Sequence, residues 1–288
     1  MKILEYICFR FAVSLFAIIP FRILYVISDF VYVLLYKVIK YRKDVVFNNL
    51  KECFPQKNDK EIERLSKLFF HHLADITLES IKSMTMSEKT LRKRYKILNP
   101  EIADKYFYEN KNILCFTSHY GNWEYGILAS GNILKHKTLA LYLPLTNKYS
   151  EKFGTKRRSR FGTFLVSVMD TKKTLSEIYD RPTATIFAAD QNPANVEKAI
   201  WINFLNRDTA CIHGPEGYAK KTNFPVLYMK ITKPKRGYYN LEFSEIIENP
   251  AKYSPNEITK IYMNCLEKDI LEQPEYWLWS HRRWKHKK

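Results

Sequence analysis

Apolar positions crowd the first forty residues of this chain and then settle into regular rhythms. Phe11 to Ile19 is apolar apart from Ser14; Pro20 and Arg22 interrupt the run; Ile23 to Ile27 and Phe30 to Tyr36 continue it around Ser28-Asp29. A membrane-spanning helix wants about 20 mainly apolar residues. Phe11 to Ile27 approaches that length only by including Arg22. The pattern predicts two apolar helices, or one kinked helix, that anchor the protein; a pair of core helices is the competing reading. A cleaved leader fits poorly, because no small-residue cleavage site follows and the apolar stretch runs on too far. Lys37, Lys40, Arg42 and Lys43 come next, a cluster that belongs on the cytoplasmic side and can meet anionic lipid.

The rest of the chain alternates. Ile62, Leu65, Leu68, Phe69, Leu73, Ile76 and Ile81 recur at three-to-four spacing and predict a helix over Asp59 to Ser83. Strands are expected at Ile113 to Thr117, Leu139 to Leu143, Thr163 to Met169, Ala184 to Ala188, Ala199 to Phe204, Val226 to Thr232 and Tyr239 to Ile247. Helices are expected at Trp123 to Leu134, Lys148 to Phe161, Thr171 to Tyr179, Gly214 to Thr222 and Pro255 to Leu271. Such alternation implies an α/β fold with a mixed, mostly parallel sheet and helices on both faces. The late adjacent strands suggest an antiparallel edge. The expected organisation is an anchoring helical segment over 1–43 and a catalytic domain over 44–288.

Composition narrows the class. The chain has 288 residues, 46% of them hydrophobic and 15% aromatic, enough for a sizeable core. The formal net charge of +17 suits nucleic acid or an anionic membrane surface. No nucleic-acid-binding motif is present and the first forty residues are apolar, so anionic membrane lipid is the expected partner. Cys8, Cys53, Cys115, Cys211 and Cys265 are odd in number and lack pairing or zinc spacing. They read as reduced thiols, and no metal is expected.

The run Ser118-His119-Tyr120-Gly121-Asn122-Trp123-Glu124 carries the chemistry. It follows a predicted buried strand, and open α/β sheets place their sites at the carboxyl ends of strands. Residues five apart lie about 140° from each other on a helix, so His119 and Glu124 would not share a face in mid-helix. Gly121 permits a turn and Asn122 is a good N-cap. His119 then sits in the turn and Glu124 in the first helical turn, where the helix dipole favours an ionised carboxylate. That carboxylate can hold one ring nitrogen and leave the other to take a proton. A loop histidine beside a helix-capping glutamate is the plainer reading that spacing alone leaves open. Asp190 likewise follows a predicted strand, and a turn cap before Pro193 is its alternative. No G-x-S-x-G elbow is present. Cys115 lies close to His119, but in a predicted buried strand, a poor setting for a thiol nucleophile. His71 and His72 read as packing or surface residues.

The His119 block resembles the HxxxxE block of the bacterial lipid A biosynthesis acyltransferases, within the wider lysophospholipid acyltransferase superfamily. Four further segments resemble that family in the same order: Arg42 with Val45 to Leu50 and Phe54-Pro55; Arg158 to Gly162; Ala189-Asp190-Gln191; and Pro274 to Trp284, reading P-E-Y-W-L-W-S-H-R-R-W. The resemblance implies acyl transfer from a thioester to a lipid hydroxyl. His119, Glu124, Arg158 and Asp190 would be catalytic, and Asn122, Trp123, Arg160, Gln191, His281 and Arg282 would bind substrate. No cofactor is implied, only acyl carrier protein or coenzyme A as the carrier of the co-substrate. A lipid A precursor and acyl carrier protein become expected partners, and the cytoplasmic face of the bacterial inner membrane the expected location. Another acceptor, an aminolipid or lysophospholipid, would use the same residues. A non-enzymatic basic protein binding the membrane surface is the remaining alternative. The interleaved Trp277, Trp279 and Trp284 suit either the membrane interface or the core.

Overall fold

The computed structural model describes residues 2–288. The amino-terminal half holds helices α1 (Lys2–Ile18), α2 (Phe21–Val33), α3 (Lys43–Cys53), α4 (Asp59–Ser83) and α5 (Glu88–Arg94), with a π-helical turn over Leu34–Val38. Next come β1 (Tyr95–Ile97), α6 (Glu101–Tyr108), β2 (Ile113–Thr117), α7 (Trp123–Ile133), β3 (Lys137–Tyr142), α8 (Lys148–Arg158), β4 (Phe164–Ser167) and the short α9 (Thr171–Thr174). The last part comprises β5 (Thr183–Ala188), β6 (Ile200–Phe204), β7 (Arg207–Cys211), α10 (Gly214–Thr222), β8 (Val226–Lys235), β9 (Tyr238–Ile247) and α11 (Glu257–Glu272).

Seven strands form one sheet in the order β1-β9-β8-β2-β5-β3-β4, while β6 and β7 pair as a separate hairpin. Every neighbouring pair in the large sheet is parallel except β8–β9, so the sheet is mixed. The antiparallel pair is not at the edge, because β1 adds parallel to β9 outside it. β2 is buried at all five positions, as a strand with neighbours on both sides and covered on both faces must be. Alternation then divides its residues. Phe116, with Phe187 of β5 and Tyr228 of β8, meets Tyr262 of α11 directly or through one another. Thr117, Ile186, Met229 and Ile231 face a recess beneath α7.

The amino-terminal helices do not build the expected apolar membrane anchor. Pro20 separates a 17-residue α1 from a 13-residue α2. Among the described residues no helix is long and apolar enough to cross a membrane. α1 carries Glu5 and Arg10, and α2 carries Arg22 and Asp29. Both helices instead engage α4 through polar groups. Lys82 Nζ donates to the Phe16, Ala17 and Ile19 carbonyls, each at 2.8 Å, satisfying the open end of α1. Ser28 Oγ donates to Asp75 at 2.8 Å, and Tyr25 donates to Glu79 at 2.7 Å. Arg236, in the β8–β9 turn, bridges Asp29 and Asp75. Val13, Leu24 and Tyr36 are buried in this assembly.

Candidate active site

Two adjacent parallel strands bring the site together. The register pairs Thr117 of β2 with Ala188 of β5. His119 and Asp190 each lie two residues past those ends, so the chain delivers them side by side. His119 Nδ1–H donates to Asp190 Oδ1 at 2.7 Å, and the His119 backbone N–H donates to Oδ2 at 3.0 Å. Trp277 Nε1–H donates to the same Oδ2 at 2.9 Å. Asp190 is buried, whereas the His119 side chain remains 22% exposed. Burial raises the Asp190 carboxyl, but the imidazole beside it and its hydrogen bonds outweigh burial and hold it below the usual carboxylate range. Burial also works against a charged His119. The Asp190 charge and hydrogen bond, with Glu124 nearby, overcome it and raise the ring above its ordinary value. The result is an imidazole with its proton fixed on Nδ1. Among the described residues Nε2 is met only by the Gln191 amide, at a long 3.4 Å.

The turn carrying His119 is held from three sides. Gly121 has a φ of +59° and passes so close to β8 that a Cβ there would come within 2.7 Å of Ile231 Cγ2; glycine is the residue this crossing admits. From α4, His72 Nε2–H donates to the Gly121 carbonyl at 3.2 Å. Glu79, also from α4, accepts from Asn122 Nδ2 at 2.7 Å, while Tyr25 and Tyr239 donate to its two oxygens. Asn122 Oδ1 in turn accepts from the Tyr125 N–H and caps α7. From the carboxyl terminus, a short antiparallel bridge pairs Tyr120 with Trp277. Gly121 N–H donates to the Tyr276 carbonyl, and Leu278 N–H to that of His119.

Glu124 does not hold His119. It forms an ion pair with Arg158, with Nη2–H donating to Oε1 at 3.0 Å and Nε standing 3.0 Å from Oε2. The Asn122 cap explains the exchange: it starts α7 so that Glu124 projects toward the end of α8, while β5 supplies the carboxylate for the imidazole. The expected pairing of His119 with Glu124 is therefore replaced by His119 with Asp190.

His119, Trp123, Glu124 and Arg158 line a recess of about 180 Å³. Ile127, Ala140, Ile186, Met229 and Ile231 wall it, and Tyr95 lies among its lining. The Tyr95 hydroxyl is buried without a hydrogen-bond partner. Trp123 stands edge-on to His119, with ring centroids 5.2 Å apart. A second recess, about 300 Å³, shares Trp123, Glu124, Tyr142 and Arg158 with the first and continues over Phe9, Leu73, Ile76 and Leu278. The two recesses, the first of mixed polarity and the second largely apolar, thus meet at the Glu124–Arg158 pair.

The other expected residues divide. Asn122 is fully enclosed and acts on the turn. Arg160 donates to the Ser83 and Met86 carbonyls, closing the end of α4 rather than facing the recess. His281 lines a third groove with Arg42 that adjoins the second recess at Leu73, Thr77 and Leu278, and burial pushes its ring down to about 4. Arg282 is exposed. Cys115 is completely buried and its thiol is pushed up to about 12. The carboxyl-terminal segment joins the core: Trp277, Trp279 and Arg283 are buried. Asn49 donates to the Trp279 and His281 carbonyls, and Arg42 to that of Ser280. Sequence reasoning missed Glu79, His72 and the bond from Trp277 to Asp190. Glu79 and His72 sit seven residues apart on one helix face, a spacing that was readable; nothing local in the sequence announced the turn they support.

Comparison with known proteins adds an independent line. The family model described as bacterial lipid A biosynthesis acyltransferase matches residues 2–286. The lipid A biosynthesis palmitoleoyltransferase of Escherichia coli (strain K12) is 22% identical over 248 residues, covering 86% of this chain and 80% of that protein. A lipid A biosynthesis acyltransferase of Haemophilus influenzae is 22% identical over 273 residues, 93% of this chain and 84% of its own length.

Proposed function

We propose, from the premise that this chain belongs to the bacterial lipid A biosynthesis acyltransferase family and is an acyltransferase, that it transfers a fatty acyl chain from an acyl thioester to a hydroxyl of a lipid A precursor, with His119 as general base. The observation that carries the reading is the His119–Asp190 pair, set in the lining of a recess walled by Ile127, Ile186, Met229 and Ile231.

In this scheme the acceptor hydroxyl displaces the Gln191 amide from Nε2. As the hydroxyl oxygen attacks the thioester carbonyl, its proton passes to Nε2, and the negative Asp190 stabilises the imidazolium that forms. The carbonyl becomes a tetrahedral oxyanion. Arg158, steadied by Glu124, is the cation available to it. Collapse breaks the carbon–sulfur bond, and the thiolate leaves with the proton returned by His119. Ester and free thiol are the products, and no acyl-enzyme is required. The donor chain lies in the recess under α7, and the acceptor approaches along the recess over Phe9 and Leu278.

Acyl carrier protein is the favoured carrier of the thioester, and the cytoplasmic face of the inner membrane the favoured place of action. The net charge of +17 and the free cysteines suit an anionic surface in a reducing compartment. Incubation of the purified protein with a panel of acyl carrier protein and coenzyme A thioesters and a lipid A precursor, read by mass spectrometry, tests the reading. A product heavier by one acyl group supports it. Transfer only to an aminolipid or lysophospholipid would replace the acceptor, and no transfer from any donor would remove the reading.

A further inference from the structure

Tyr95 opens β1 and is only 1% exposed, yet among the described residues its hydroxyl has no hydrogen-bond partner. Burial alone pushes the phenol above its ordinary value, with no charge or hydrogen bond contributing. Buried hydroxyls are normally paired, because an unpaired one forfeits its bonds to water. A phenylalanine would fill the same space without that cost, so the oxygen is what needs a reason. Tyr95 belongs to the lining of the reaction recess under α7. The larger polar side chains around it are engaged: His119 holds Asp190, Glu124 holds Arg158, and Tyr142 donates to Glu151. α7 crosses the phenol at Gly126, where a Cβ would stand 2.9 Å from the hydroxyl oxygen. The helix thus passes over that oxygen with no side chain to cover it.

We propose that the acyl chain received by this recess carries a hydroxyl group of its own, and that Tyr95 selects it. A phenol both donates and accepts, so it pairs with an alcohol in either sense. A plain hydrocarbon chain in the recess would keep water out and leave the phenol unpaired. A hydroxylated chain brings the missing partner and finds one in return. Sites that hydrogen-bond a substrate hydroxyl reject the analogue lacking it, because their own polar group is then stranded. No bond is made or broken at Tyr95: the hydroxyl on the chain is not the one that attacks, and the phenol acts on selectivity alone. The inference rests on the acyl-transfer reading above and names its donor class, a hydroxyacyl thioester.

Competition between donors is the test. The purified full chain receives the lipid acceptor and equal amounts of two dodecanoyl thioesters, one plain and one hydroxylated on the second, third or a mid-chain carbon in successive runs. The ratio of products by mass spectrometry is the ratio of kcat/KM. One hydroxylated chain is expected to be preferred at least about tenfold, and Tyr95→Phe to use the same pair within about twofold of equally. Tyr125 has another buried hydroxyl without a partner, outside the recess lining, so Tyr125→Phe is expected to keep the preference. A wild type that prefers no hydroxylated chain overturns the proposal. So does a preference that survives Tyr95→Phe or is lost in Tyr125→Phe. Thermal melting adds a readout without turnover. Tyr95→Phe is expected to melt at or above the wild-type temperature, and a lower Tm overturns the proposal, because the hydroxyl would then have a partner within the fold. Thioether analogues of the same chains, which cannot transfer, are expected to raise the wild-type Tm more when hydroxylated, a difference that Tyr95→Phe abolishes. Transfer with no hydroxyl preference would remove this inference and leave the reaction standing. Absence of transfer from every donor would remove the reaction, and the thioether comparison would still read the recess.

Discussion

Replacing Asp190 by asparagine removes one charge and sets the two buried N–H donors against the tautomer of His119. Asp190 Oδ2 accepts two N–H groups, from His119 and Trp277, while Oδ1 accepts the Nδ1–H of His119. An asparagine that turns its carbonyl to the two N–H groups presents its amide to Nδ1. The ring must then carry its proton on Nε2, where no base remains. An asparagine turned the other way keeps the tautomer but points its amide at two buried donors, leaving groups unpaired at about 1–3 kcal/mol each. The first arrangement satisfies more groups, so the variant should fold and lose the base, which corresponds to a fall in kcat of about 10²- to 10⁴-fold. The pH profile gives a second reading. The base is neutral above its pKa, so wild-type kcat/KM should rise with pH through a value above the ordinary imidazole value of 6.5. Asp190→Asn removes the charge that raises it, and burial remains, so the residual activity should rise at lower pH. The assay is acyl transfer from a thioester to the lipid acceptor, with circular dichroism confirming the fold. A variant that keeps more than about a tenth of wild-type kcat, or an unmoved acid limb, refutes the reasoning.

Other outcomes follow from the same geometry. A Cβ at Gly126 would come within 2.9 Å of the Tyr95 hydroxyl, so Gly126→Ala should lower kcat/KM for longer acyl thioesters more than for shorter ones; a uniform change across chain lengths would detach this recess from the acyl chain. Glu79→Ala strips partners from Tyr25, Asn122 and Tyr239 and should cost about 3 kcal/mol or more, lowering Tm by at least about 6 °C in calorimetry; a change within about 1 °C would mean that the network carries no stability. Glu124→Ala and Arg158→Ala should be non-additive in kcat, the double variant losing about what the worse single variant loses, and additive losses would deny that the pair acts as a unit. N-ethylmaleimide should leave Cys115 unlabelled by mass spectrometry, since the thiol is buried and its pKa is pushed up to about 12.

The sequence was most legible where one element decides the pattern. Asp59–Ser83 is a helix over the span its apolar spacing predicts, closed at its start by an Asn58–Glu61 capping box. β2 and β8 begin where their apolar runs begin, but β8 extends to Lys235 beyond any apolar signal because β9 pairs with it. The β6–β7 hairpin was half seen: its turn is Leu205-Asn206, both at positive φ, rather than a glycine-bearing turn that would have marked it. The expected Thr171 to Tyr179 helix stops after Thr174, and its hydroxyl-rich start gives it no apolar face to bury. The amino-terminal anchor was misjudged because hydropathy counts residues and not partners. Ser28 and Asp29 read as a break in an apolar run and Tyr25 as part of it, yet all three are the groups that tie α2 to α4 and Arg236. At the site, His119, Glu124, Arg158 and Asp190 were all legible as types, but their pairing was not. Which carboxylate meets the imidazole depends on β5 lying beside β2 in a register that no local pattern encodes.

The most direct test of the account is single-turnover transfer by His119→Gln, a variant that keeps a polar side chain in the turn but has no titratable nitrogen. With saturating acyl thioester and lipid acceptor, the account predicts a rate lower by about 10²-fold or more, with both substrates still bound and no recovery at higher pH. Transfer within about tenfold of the wild-type rate would contradict it, because the proton of the acceptor hydroxyl would then have to leave by a route that does not involve this ring.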